Sequence, residues 1–278
     1  MTRVALVQLC VSDDPATNLS ETVRLIKEAI AEGASLIATP EVTNAIIPDF
    51  ERQKQVLQTQ DQDQTLAACV DLARENRVTI LIGSLALWSD RGEDKFVNRS
   101  FLIAPDGSIT AQYDKIHMFD VDIDAAETYR ESDRYQAGDR AIVAEAEFAR
   151  IGMAICYDMR FASHAVALAK AGAEILTYPS AFSRVTGAAH WEVLLRARAI
   201  ETGCWVIAPA QTGKHAAQGT LQRQTWGHSL VVDPWGHVVL DAGESPGVYV
   251  CDLELEKVRD ARRRIPSLRH GRKFAGPE

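Results

Sequence analysis

The sequence predicts an α/β fold built of two β-α-β halves, with two sheets packed face to face and helices outside. Two observations carry this. Short apolar, strand-like runs alternate with helical stretches along most of the 278 residues. One stretch also echoes another. Gly33-Ala34-Ser35-Leu36-Ile37-Ala38-Thr39-Pro40 matches Gly172-Ala173-Glu174-Ile175-Leu176-Thr177-Tyr178-Pro179 in type, and each follows a helix that itself follows an apolar strand. The echo alone also suits any α/β chain that repeats such units. No Pro/Ser-rich linker parts the halves, so one domain over 1–278 is expected.

The elements follow in order. Val4 to Leu9 is a short apolar run and reads as a strand. Glu21 to Glu32 places Val23, Ile26, Ala29 and Ile30 on one helical face, and Gly33 ends that helix. Ser35 to Thr39 is a second strand, stopped by Pro40. A helix over about 65–77 leads into the strand-like run Val78-Thr79-Ile80-Leu81-Ile82. Phe96 to Ala104 and Ser108 to Tyr113 flank Pro105-Asp106-Gly107 as a hairpin. A polar loop spans roughly 117–139. The alternation resumes with strand 151–156, helix 163–171, strand 174–178, helix 188–202 and strand 205–209. A second hairpin surrounds Asp233-Pro234-Trp235-Gly236, and a short basic helix starts near 254.

Composition narrows the function. Thirty Lys and Arg against 38 Asp and Glu give a formal charge of −8, which disfavours a nucleic-acid or anionic-membrane surface. No apolar run reaches membrane length, and Met1-Thr2-Arg3 runs straight into Val4-Ala5-Leu6 without a leader-like pattern. A cytoplasmic protein in a reduced compartment is expected. The five cysteines (10, 69, 156, 204, 251) form no C-x-x-C pair, which disfavours a disulfide framework or thiolate zinc site. No two glycines sit two apart, so G-x-G-x-x-G is impossible, and no P-loop pattern occurs. The seven histidines contain no i, i+4 pair, and no G-x-S-x-G elbow is present. Cysteine chemistry remains.

Cys156 stands where the apolar run Ile151 to Ile155 ends, just before the next helix. Strand ends beside helix N-termini are where α/β sites form, and their N–H groups favour a thiolate and a developing oxyanion. Taken alone, a free cysteine is more often a small buried hydrophobe. Glu41 follows Pro40 and occupies the equivalent place in the first half, where partial burial would raise its pKa toward a useful acid/base value. Taken alone, it fits a surface loop carboxylate equally. Lys115, in Tyr113-Asp114-Lys115-Ile116-His117, follows the hairpin strand and alone reads as a solvated lysine.

In context the three carry more. Pro40-Glu41, Lys115-Ile116-His117 and Cys156-Tyr157-Asp158-Met159-Arg160-Phe161, in that order, resemble the nitrilase superfamily of carbon–nitrogen hydrolases. The resemblance covers about residues 2–265, leaving a short basic tail. It sharpens at Tyr178-Pro179-Ser180-Ala181-Phe182, Thr186-Gly187, His190-Trp191-Glu192, Trp226-Gly227-His228-Ser229 and Val232-Asp233-Pro234-Trp235-Gly236. These are similar to the branch holding ω-amidase and deaminated glutathione amidase. Two stretches depart from the pattern: Ala162-Ser163-His164 after Phe161, and the loop from Gln211 to Thr225 through Gly219.

The resemblance implies a four-layer α-β-β-α sandwich and a Glu–Lys–Cys site, with Glu131 in Tyr129-Arg130-Glu131-Ser132 as a supporting glutamate. It implies an amidase acting on a small carboxylate-bearing amide, with no metal or organic cofactor. Cys156 is the implied nucleophile and Glu41 the acid/base. Lys115 and the Tyr157 N–H are the implied oxyanion donors. Arg160 is expected to bind a substrate carboxylate beside Phe182 and Thr186. Trp191, Leu194, Leu195 and Arg198 share a helical face that reads as core or subunit interface, and a homo-oligomer, dimer or higher, joined near 163–202 is expected. His117 and His228 read as structural, and the Arg262–Arg264 run as a solvated face. An N-carbamoyl amino-acid hydrolase or a nitrilase would use the same residues. A non-enzymatic binding module would be free to lose one of them, and a metallohydrolase would resist thiol alkylation.

Overall fold

The computed structural model describes residues 1–92, 94–123, 128–218 and 223–276. Parts of the stretches expected as loops at 117–139 and 211–225, Gly219 among them, lie outside the described residues. The first half carries β1 (Thr2–Gln8), α1 (Pro15–Ala31), β2 (Leu36–Ala38), α2 (Phe50–Val56), α3 (Gln64–Asn76), β3 (Thr79–Trp88), β4 (Phe96–Ile103) and β5 (Ile109–Asp114). A two-stranded ribbon follows, β6 (Asp120–Asp122) with β7 (Thr128–Arg130). The second half carries β8 (Ile142–Glu145), β9 (Arg150–Met153), α4 (Ala162–Lys170), β10 (Ile175–Thr177), α5 (Arg184–Thr202) and β11 (Trp205–Ala208). A second ribbon, β12 (Thr212–Lys214) with β13 (Gln224–Trp226), precedes β14 (Leu230–Val232), β15 (Val238–Asp241) and β16 (Gly247–Leu253). The chain then forms α6 (Glu256–Arg264) and α7 (Ser267–His270).

Two six-stranded sheets share one plan, in the orders β16-β1-β2-β3-β4-β5 and β8-β9-β10-β11-β14-β15. In each, an antiparallel edge strand flanks three parallel strands, and an antiparallel pair completes the sheet. The short echo in the sequence is thus the trace of a repeat in sheet order. The repeat also corrects one expectation. The counterpart of Glu41 is Ser180 after β10, whereas Cys156 follows β9, the counterpart of β1.

Strand alternation sorts the core into layers. Val4 and Leu6 of β1, with Leu36, Ala38 and Leu81, pack into the cluster that contains the second sheet. Ala5 and Val7 face the other way, onto Leu25 and Ile26 of α1 and Leu72 of α3. The result is the four-layer α-β-β-α sandwich. Gly83 sits where the halves touch: a Cβ there would lie 2.0 Å from the Thr39 carbonyl oxygen and 2.5 Å from Pro179 Cβ.

Local signals set the helix ends. The Asp14 carboxylate accepts from the Ala16 and Thr17 N–H groups and Pro15 opens the first turn, so α1 starts six residues ahead of Glu21. Gly203, at φ +59°, ends α5. Of the two readings of the α5 face, core or subunit interface, the structure bears out core. Trp191 and Leu195 are buried in the chain's own interior, and Trp191 Nε1 donates to the His228 carbonyl at 2.8 Å. The exposed apolar side chains of α5 are Val185, Val193 and Ile200. No helix among the described residues is long and apolar enough to cross a membrane.

Candidate active site

The turn after β2 is built to aim Glu41 inward. Thr39 Oγ1 accepts from the Gly83 N–H at 3.1 Å, and Ser84 Oγ accepts from the Val42 N–H at 2.8 Å. Val42 adopts φ +49°, a left-handed conformation that a β-branched residue pays for in strain. The Glu41 side chain is buried. Its Oε2 accepts from the Ala181 N–H at 2.7 Å, so this first-half carboxylate is gripped by the second half.

Cys156 opens a 3-10 turn, Cys156–Arg160, and is itself at φ +47°. Two non-glycine left-handed residues thus lie at, and next to, two expected reacting groups. Asp158 clamps the turn. Wholly buried, it accepts from the Ile155 N–H (2.8 Å), the Tyr113 hydroxyl (2.7 Å), the His117 N–H (3.1 Å) and His117 Nδ1 (2.6 Å). One carboxylate therefore ties the cysteine turn to the segment carrying Lys115. Arg198 of α5 holds the far end, its Nε donating to the Met159 carbonyl at 2.6 Å.

Lys115 is buried, with Nζ 2.9 Å from Glu41 Oε1 and 3.0 and 2.8 Å from Glu131 Oε1 and Oε2. Glu131 stands on a short turn after β7, and its Oε2 also accepts from the Phe119 N–H at 2.7 Å. Asn98 Nδ2 donates to Glu41 Oε1 at 2.9 Å and to Glu131 Oε1 at 3.3 Å. Behind Lys115, Asp114 is held by Arg99 (2.6 and 3.0 Å) and Arg91, a buried ion network on the reverse side of the same strand end.

The electrostatics differ from the expectation for Glu41. Burial works to raise its pKa, but the Lys115 charge, the Arg223 charge and the Ala181 N–H hold it below the ordinary glutamate range. Burial likewise opposes the Lys115 charge, yet Glu131 and Glu41 hold its pKa well above the usual value. The Cys156 thiol is pushed up by burial and by the Glu41 charge, with Lys115 only partly offsetting them. At rest the site is a carboxylate, an ammonium and a thiol. The turn does not by itself produce a thiolate. The Tyr157 N–H has no acceptor among the described residues, whereas the Cys156 N–H is used by the Pro179 carbonyl at 3.0 Å.

A cavity of about 940 Å³ opens over this cluster. Glu41, Lys115, Glu131, Cys156, Tyr157, Phe182 and Thr186 all line it. Arg160 is not among the lining residues. Its Nη2 lies 3.2 Å from His190 Nδ1, and its guanidinium sits 5.6 Å from the Phe182 ring, so it backs the wall rather than facing the space. Gly187 lets Trp226 into that wall: a Cβ would lie 2.4 Å from Trp226 Cγ. His117, bonded to Asp158, and His228, 2.9 Å from Asp241, are structural as expected. Sequence reasoning missed Asn98, Arg223 and the positioning roles of Asp158 and Arg198, because each acts on groups far away in the chain. Among the described residues no group of three His, Cys, Asp or Glu side chains is placed to hold a metal ion.

Comparison with known proteins places these features in company. Residues 3–263 match the carbon–nitrogen hydrolase family. The chain is 40% identical over 271 residues to a deaminated glutathione amidase of Yersinia enterocolitica, covering 97% of this chain and 92% of that one. It is 34% identical over 275 residues to an omega-amidase of Mus musculus, covering 97% and 95%. In three dimensions it superposes on the C. elegans NitFhit protein with a TM-score of 0.89 at 33% identity. That match covers 98% of this chain and 65% of the longer NitFhit chain, just under two thirds.

Proposed function

The chain belongs to the carbon–nitrogen hydrolase family, and from that membership we propose a cysteine-dependent amidase that cleaves a small carboxylate-bearing amide through a thioester. One observation carries the reading: Glu41, Lys115 and Glu131 meet by direct hydrogen bonds on the cavity wall that Cys156 shares. The deaminated glutathione amidases and omega-amidase that the chain resembles support an ω-amide, or a γ-glutamyl-like amide bearing a 2-oxo acid, as substrate.

The chemistry follows from the charges. Glu41, ionised at rest, takes the Cys156 proton as the sulfur attacks the amide carbon. The oxyanion forms between the Lys115 ammonium and the Tyr157 N–H, which has no acceptor among the described residues. Two Lys115 protons face Glu41 and Glu131, which leaves the third for the oxyanion. Protonated Glu41 then gives its proton to the departing nitrogen, and ammonia leaves. Water, deprotonated by Glu41, attacks the thioester; the C–S bond breaks, Glu41 returns the proton to the Cys156 sulfur, and the acid leaves. Glu131 and Asn98 keep Lys115 and Glu41 in register throughout. None of these steps calls for a cofactor. Phe182 and Thr186 contact the substrate, and Arg160 stiffens Phe182 from behind.

The protein acts in the cytoplasm on this reading, as one domain and as a homo-oligomer. Exposed Ile200 of α5 lies against Gly236 in the turn that carries exposed Trp235, and this apolar surface is the proposed contact. Light scattering at micromolar protein tests this, with at least twice 30.6 kDa expected and the monomer mass contradicting it. Ammonia release, screened over ω-amides, 2-oxo ω-amides, carbamoyl amino acids and nitriles, tests the reaction. Turnover of carboxylate-bearing amides without carbon dioxide is expected. Carbon dioxide released with the ammonia, or turnover of nitriles alone, would overturn it.

A further inference from the structure

Four arginines line the cavity, and they are not equivalent. Arg130 is answered by Asp122 at 2.8 Å and Arg184 by Glu244 at 3.2 Å. Arg134 donates to the Pro48 carbonyl at 2.9 Å and lies over the Phe50 ring. Arg223 has no carboxylate partner among the described residues. Its Nη2 donates to the Ala181 carbonyl at 2.6 Å, while its Nε is buried with no acceptor. A buried guanidinium N–H without a partner is costly unless something arriving in the cavity completes it.

We propose that Arg223, and not Arg160, receives the carboxylate of the substrate, with the acid group seated close to the scissile amide. The placement follows from Ala181. That residue gives its N–H to Glu41 Oε2 and its carbonyl to Arg223, so the guanidinium stands one peptide unit from the reacting base. The fork is held in advance of binding. Its plane sits 5.5 Å from the Tyr129 ring, and the Arg223 carbonyl accepts from the His215 N–H at 3.0 Å. Three more cavity-lining residues carry buried polar atoms without a partner: Gln53 Oε1, Asn98 Oδ1 and Thr186 Oγ1. The Thr186 hydroxyl can donate to the same carboxylate, and the two amide oxygens can accept from N–H groups of the ligand.

This inference rests on the amidase reading, and the test separates the two. The substrates are a five-carbon monoamide of a dicarboxylic acid and its methyl ester, assayed near pH 8. Arg223→Met should lower kcat/KM for the acid about ten- to a hundredfold more than it lowers kcat/KM for the ester. Arg160→Met should affect acid and ester alike. Arg223→Lys, which keeps the charge but loses the fork, should fall between and serves if the methionine variant does not fold. Equal losses for acid and ester in Arg223→Met, or an acid-selective loss in Arg160→Met, would overturn the assignment. If the wild type cleaves neither amide, the amidase reading fails. Calorimetry with glutarate then decides Arg223 by itself: binding by wild type and not by Arg223→Met supports it, and equal or absent binding refutes it.

Discussion

Glu41 and Cys156 are each shifted against the direction that isolated burial or a helix terminus would suggest for them. Glu41 is buried yet ionised, because Lys115, Arg223 and the Ala181 N–H outweigh its desolvation. Cys156 is protonated, because burial and the Glu41 charge outweigh Lys115. The pH dependence should show it. The proposed mechanism needs Glu41 ionised, so the acid limb of kcat/KM should lie below the usual glutamate value of about 4.3, and no thiolate should titrate near neutrality. A flat kcat/KM from about pH 6 to 8 is expected; a sigmoidal rise across that interval would contradict the resting proton on sulfur. At this scale the sequence pointed to the three proposed reacting residues only through their neighbours, since a lone Cys, Glu or Lys carries no message. Asn98 was invisible for a different reason. It sits mid-strand in β4 and looks like any buried strand residue until Glu41 and Glu131 arrive from elsewhere.

The elements that carry the site are held by single polar side chains acting across long sequence distances. The ribbon β12–β13 brings Arg223 and Trp226 to the cavity, and His215 fastens it to the first half. His215 Nδ1 donates to the Val11 carbonyl at 2.7 Å and Nε2 accepts from Thr225 Oγ1 at 2.7 Å, which suits the neutral ring. Burial pulls its pKa down to about 4, against about 6.5 in an unfolded chain. The unfolded chain therefore binds a proton that the folded one refuses between those values. Stability from this residue is complete above about pH 6.5 and falls, by up to about 3 kcal/mol, as pH drops toward 4. Urea midpoints at pH 7.5 and 5 should diverge in the wild type and converge in His215→Gln. An unchanged pH slope in the variant would contradict this role. Long apolar runs and capped helices were legible in the sequence. The edge strands β8 and β16 were not, because β16 is half-exposed and its partner β1 lies at the opposite end of the chain. The 117–139 stretch hid a ribbon for the same reason: three-residue strands leave no periodicity.

At the scale of the molecule, the proposed reaction centre lies where the two halves meet. Glu41, Asn98 and Lys115 come from the first half and Cys156 from the second, and Gly83 lets the turns at Pro40 and Pro179 come into contact. Gly83→Ala would drive a methyl into the Thr39 carbonyl, a backbone atom that cannot swing aside. A loss of about 3 kcal/mol in stability, or failure to fold, is expected in thermal melts. A melting temperature within a degree or two of wild type would mean the halves are not pressed together there. The echo at 33–40 and 172–179 made the duplication legible, whereas which strand end opposes which depended on packing that no local pattern encodes. The central claim is that this junction exists to make a nucleophile of one sulfur atom. Ammonia release by folded Cys156→Ala, at the wild-type optimum substrate, tests it most directly. A loss of at least about a thousandfold in kcat with an unchanged melting temperature is expected. Release within tenfold of wild type by that folded variant would contradict it.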